Sequence, residues 1–120
     1  MLGWLKKPAQ RSQPEARWVV AVEPDAIRVS DPEGLEKVVP KSELSGVVIE
    51  TNDTGPWGAD VWWLLFGTGD RPACAYPQGA TGEQAALDYL LSLNGFDQGA
   101  MTSAMRSVEN AVFPVWRSQG

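Results

Sequence analysis

The chain has 120 residues, 43% apolar and 21% charged, with a net charge of −5, six tryptophans, one cysteine and no histidine. That is the length of one domain with a core of its own, and its acidity argues against nucleic acid, whose phosphates are bound by clustered Lys and Arg. The missing histidine excludes His-based acid–base catalysis, Ser-His-Asp and Cys-His arrangements and most zinc sites, and a single cysteine excludes an internal disulfide.

Residues 1–17 read as a flexible basic arm. Lys6, Lys7, Arg11 and Arg17 stand against Glu15, a net of +3, whereas the rest holds six basic and fourteen acidic side chains, a net of −8. Two prolines and a mixed composition leave room for no packed element beyond one turn. Leu2, Trp4 and Leu5 followed by Lys6 and Lys7 also suit an anionic membrane surface, with the apolar groups inserted and the ammonium groups at the phosphates. No run approaches the roughly 20 apolar residues of a membrane span, and the start lacks the apolar core of a signal peptide, so a cytoplasmic protein is expected.

Residues 18–120 read as a single α+β domain that opens with a meander. Strands are expected at Trp18 to Val22, Ala26 to Ser30 and Leu35 to Val39, separated by the turns Glu23-Pro24-Asp25 and Asp31-Pro32-Glu33-Gly34. Their inward faces are Trp18, Val20 and Val22, then Ile27 and Val29, then either Leu35 and Val39 or Val38. Pro40 ends the third strand because it has no N–H to give the ladder. Lys41 to Leu44 is a connector into a fourth strand near Ser45 to Thr51.

The densest apolar stretch runs from Gly46 to Gly67. Asn52 to Asp60 reads as its loop, rich in residues that tolerate turns, and Val61 to Phe66 as a strand apolar on both faces. Val61, Trp63 and Leu65 lie on one face and Trp62, Leu64 and Phe66 on the other, so the strand is either covered twice or offers one face to a partner. Gly67 to Asp70 makes a hairpin turn into a strand at Arg71 to Tyr76.

The period then becomes helical. Thr81-Gly82-Glu83-Gln84 matches a capping box, Leu87, Leu90, Leu91 and Leu93 follow at helical spacing, and Asn94-Gly95 is a stop. A second helix is expected from Gln98 to Val108, capped by Asp97, with Met101, Ala104, Met105 and Val108 facing inward. Ala111 to Arg117 reads as a closing strand whose Pro114 places it at an edge or a bulge. Short turns between successive strands predict an antiparallel β-sheet, or a partly closed barrel, of five to seven strands with one or two C-terminal helices.

The segment WVVAVEPDAIRVSDPEGLEKVVPKSELSGVVIETND resembles the first half of a pleckstrin-homology-like barrel of small bacterial proteins. ETNDTGPWGADVWWLL, YPQGATGE, LNGFD and ENAVFPVWR are similar to phrases of a family of such proteins, and the resemblance spans residues 18–117. It implies a fold only, since the family brings no catalytic residue or cofactor. A strand after the helices departs from a pleckstrin-like barrel, which ends in its helix, so a sheet under two helices is the other expectation.

Several groups invite a functional reading. Glu50, Asp53 and Asp60 flank a loop with Trp57 and could bind a cation or act in acid–base chemistry, but their spacing does not match the calcium-loop pattern, and a turn whose side chains bond the local backbone is the preferred reading. Cys74, between Ala73 and Ala75 with Arg71 as the nearest cation in sequence, reads as a small core residue. YPQGATGE lacks the Lys-Ser/Thr pair of a phosphate loop and reads as a cap. Trp57 and Trp62 suit a partner contact, because Trp supplies large area with little entropy to lose.

No catalytic residue, metal ligand set or cofactor emerges. The expected function is a non-enzymatic interaction domain that binds a protein partner, basic by charge complementarity, through Glu50, Asp53, Trp57, Asp60 and Trp62. One form is an immunity-type protein that neutralises a basic toxin. The alternatives are a ligand-binding or metal-assisted hydrolytic pocket around the acidic loop and a membrane-surface adaptor held by the arm. Self-association through Trp62 or the edge strand at Val115 fits all three.

Overall fold

A computed structural model describes residues 14–55 and 58–119, with the backbone alone at 14, 53–55, 58 and 59. Residues 1–13 of the expected arm and Trp57 therefore lie outside the described residues, as does the side chain of Asp53. Pro14–Arg17, the last residues of the sequence assigned to the arm, form a 3-10 turn.

Seven strands and two helices follow in the order β1 (Val19–Val22), β2 (Ala26–Ser30), β3 (Glu36–Pro40), β4 (Gly46–Gly55), β5 (Gly58–Phe66), β6 (Pro72–Pro77), α1 (Glu83–Leu91), α2 (Gln98–Arg106) and β7 (Ala111–Arg117). The expected α+β class is present, as two antiparallel sheets: β1-β2-β3, and β6-β5-β4-β7. They are not hydrogen-bonded into a closed barrel. The last strand returns to pair with β4, and Val115 is the extra residue of a bulge where the register slips between Val47 and Val48. A bulge resolves what Pro114 would otherwise interrupt.

Both sheets turn one face to a shared core. Val20, Ile27, Val29 and Val39 from the first sheet meet Val47, Ile49, Trp63, Leu65, Cys74 and Tyr76 from the second, with Ala86, Leu90 and Ala104 of the helices completing the cluster. Each fully buried Val, Leu or Ile stabilises the fold by about 1.5–3 kcal/mol. Trp63 stacks on Tyr76, its cross-strand partner, with ring planes at 7°. Among the described residues one buried polar side chain, Thr51, donates its hydroxyl to the Glu109 carbonyl at 2.7 Å, fastening β4 to the segment after α2.

Four local expectations are corrected. The capping box is not used: Gly82 is the N-cap of α1, the Thr81 hydroxyl donates to the Ala16 carbonyl, and the Gln84 amide turns to Asp88. Thr81 is instead drawn into a parallel bridge with Val19, so it serves the edge of β1. The second helix stops at Arg106, which leaves Val108 74% exposed and Met105 facing outward rather than into the core. Leu35 precedes β3 and is exposed, so Val39 alone of the β3 candidates is buried. Asn52 to Asp60 is mostly strand, because β4 and β5 continue their ladder to Gly55 and Gly58.

Candidate interaction surface

Cross-strand register composes the second face of the larger sheet row by row. Leu64 on β5 stands opposite Val48 on β4 and Ala75 on β6, and Val48 opposite Pro114 on β7. In the next row Trp62 stands between Pro77 and Glu50, and Glu50 faces Val112. Beyond it the ladder continues with Asn52 opposite Asp60. Since paired residues share a face and the side-chain period is two, Val48, Glu50, Trp62, Leu64, Phe66 and Asp60 all point the same way.

This is the face away from the core. Val47, Ile49, Thr51, Trp63 and Leu65 alternate with these residues and are buried, whereas Val48, Trp62, Leu64 and Phe66 are only half-buried and belong to no part of the core cluster. Val112 is 60% exposed beside them. The surface therefore grades from an apolar base at Phe66 and Leu64 to an acidic end at Glu50 and Asp60. Lys and Arg are absent from residues 42 to 70, which carry Glu43, Glu50, Asp53, Asp60 and Asp70.

Of the sequence-assigned contact residues, the structure brings Glu50, Asp60 and Trp62 onto one face, Glu50 and Asp60 as diagonal neighbours across the hairpin. Asp53 and Trp57 cannot be joined to them, since their side chains lie outside the described residues. Val48, Val112 and Pro114 complete the surface and were not singled out. The signal was present in the period-two pattern of β7, where Val112 and Pro114 alternate with Phe113 and Val115. The edge strand does not expose Val115, whose side chain is buried by the bulge, so self-association there would engage the backbone edge and Val112 instead.

Among the described residues no three His, Cys, Asp or Glu side chains come close enough to hold a metal ion. Cys74 is 1% exposed, its Sγ lies 3.8 Å from the Ile27 carbonyl, and burial pushes the thiol up to about 11, a poor nucleophile at neutral pH. Burial likewise raises the Tyr76 and Tyr89 phenols above their ordinary value. The tightest ion pair, Arg28 with Glu23 at 2.9 Å and Glu36 at 3.3 Å, lies on the outward face of β2 and joins three neighbouring segments. Its bond to Arg28 holds the Glu23 carboxyl below the usual carboxylate range.

Among the described residues no helix is long and apolar enough to cross a membrane. No family model, curated protein or solved structure matches the chain.

Proposed function

We propose that the protein is a non-enzymatic interaction domain that receives a basic protein partner on the outward face of its four-stranded sheet. The observation that carries this reading is the row Ala75, Leu64, Val48 and Pro114, apolar across all four strands on the side away from the core. Apolar area of this kind at the centre, with Trp62 beside it and carboxylates at one end, is the composition of a contact patch: an aromatic anchor, a dry middle and a charged rim. Glu50 and Asp60, at the end of the face away from Arg117, would steer a basic partner to the patch. The immunity-type role of neutralising a basic toxin is one form of this reading, and the pleckstrin-homology-like resemblance is compatible with it.

Retention from a lysate of the native host, at low and high salt, tests the proposal. Wild-type protein is expected to hold one basic protein at near-equal stoichiometry at low salt. Glu50→Lys combined with Asp60→Lys is expected to lose it, and retention that survives the charge reversal contradicts the reading.

A further inference from the structure

A cleft lies at the outer edge of β6, at the seam where the two sheets fail to close. β3 and β6 are edge strands of different sheets that face each other without pairing. One end of the seam is tight: a Cβ added at Gly67 would sit 3.4 Å from Val39 Cγ2. The other end opens into a cleft of about 380 Å³, walled by Trp18, Val29, Leu35, Pro72 and Ala75. That volume falls within the roughly 300–1,000 Å³ typical of small-molecule sites, which combine an apolar lining with a few polar groups.

The polar groups here are Lys37 and Arg71, with Asp31. Lys37 stands opposite Val29, so it occupies a position on the inward face of β3, where the alternation that buries Val39 calls for an apolar side chain. Arg28, one position along β2, faces outward and is spent on Glu23 and Glu36, whereas among the described residues neither Lys37 nor Arg71 has a salt bridge. Asp31 is already engaged, since its Oδ1 accepts from the Glu33 and Leu35 amides at 2.9 and 3.0 Å. In a chain of net charge −5, the cleft thus collects two cations against the one carboxylate of Asp31, around an apolar hollow. The nearby lysine charge also pulls against the burial that raises the Cys74 thiol at the cleft floor.

We propose that this cleft binds a medium-chain fatty carboxylate, its headgroup between Lys37 and Arg71 and its acyl chain along Val29, Ala75 and the exposed rim residue Leu35. The anion supplies the charge-assisted hydrogen bonds both cations lack, and the chain removes the apolar walls from water. No covalent step is involved, since the Cys74 thiol stays protonated.

Titration calorimetry of the full chain with decanoate and with decanol, below micelle formation, tests the assignment. One decanoate is expected per chain, with decanol about tenfold weaker or worse, the loss of at least one charge-assisted hydrogen bond. Lys37→Gln with Arg71→Gln is expected to erase that preference, and both side chains are exposed, so the thermal midpoint should hold. Leu35→Asp, at a site 61% exposed, is expected to weaken both ligands and gives an independent readout should the double variant unfold. Amide shifts on decanoate addition are expected at residues 29–37 and 71–75. Absence of saturable binding, equal affinity for the alcohol, an unchanged double variant, or shifts centred on Val48, Leu64 and Phe66 would each overturn the proposal.

Discussion

Trp62 meets Trp18 edge-on, with ring centroids 5.2 Å apart and planes at 89°. The contact joins the residue that follows the 3-10 turn Pro14–Arg17 to the outward face of β5, so the start of the described chain is tied to the proposed docking surface. Beside it, Thr81 accepts the Val20 amide and donates its own amide to the Trp18 carbonyl, which holds the same segment by backbone.

An edge-to-face aromatic pair contributes about 0.5–1.5 kcal/mol beyond the area it buries. A double-mutant cycle of Trp18→Ala and Trp62→Ala, read by urea unfolding, is expected to give a coupling of about 1 kcal/mol. A coupling near zero would separate the two rings energetically and remove the tie.

Gly82 and Gly34 share a left-handed backbone, φ +89° and +91°, in different surroundings. A Cβ at Gly82 would stand 2.1 Å from the Val20 carbonyl oxygen, and at Gly34 it would meet open space. Gly34→Ala is expected to cost about 1–2 kcal/mol for the backbone conformation alone. Gly82→Ala must also push β1 away from the start of α1, and is expected to lower the melting temperature well beyond the Gly34 variant. Equal losses would mean that the close approach is not needed.

The Glu23 carboxyl, depressed by its hydrogen bond to Arg28, contributes stability that is present above its unfolded-state value, near 4.5, and is lost as pH falls through the lower folded value. Glu23→Gln should therefore melt below wild type at pH 7, with the gap narrowing as pH falls below 4.5. A gap independent of pH would place the effect in packing.

Cys74 has the opposite sign. Its thiol is raised from 9.0 to about 11, so the stability it contributes is complete below pH 9 and is lost as pH rises to about 11. Alkylation at pH 8 is expected to proceed only as fast as the protein opens, and Cys74→Ser should reduce the alkaline loss of stability, the raised Tyr76 and Tyr89 phenols keeping the remainder. Rapid labelling of the folded protein would contradict the burial.

Periodicity made much of this fold legible, down to the closing edge strand with its bulge beside Pro114, but not how the two sheets meet. The meander, the hairpin turns and the inward faces at Val20, Ile27, Val29 and Trp63 follow from alternation, a local property. Thr81 escaped because a parallel bridge to Val19, 62 positions earlier, outcompeted its use as a cap, and Val108 because its helix ends two residues before it. Trp62, Leu64 and Phe66 showed that β5 had a second apolar face, but only the register of β7 and β6 completed the row that lies on it. Lys37 carried no sequence signal of its own, since only the pairing with Val29 sets it on the inward side of β3.

Site-specific photocrosslinking in the native host would test the interaction surface most directly. A photoreactive residue at Val112, on the outward face, is compared with one at Ser103, exposed on α2, each with and without Glu50→Lys and Asp60→Lys. The account predicts a discrete crosslinked protein from position 112 that is absent from position 103 and disappears on charge reversal. Equal crosslinking from both positions, or a position 112 product indifferent to the reversal, would contradict it.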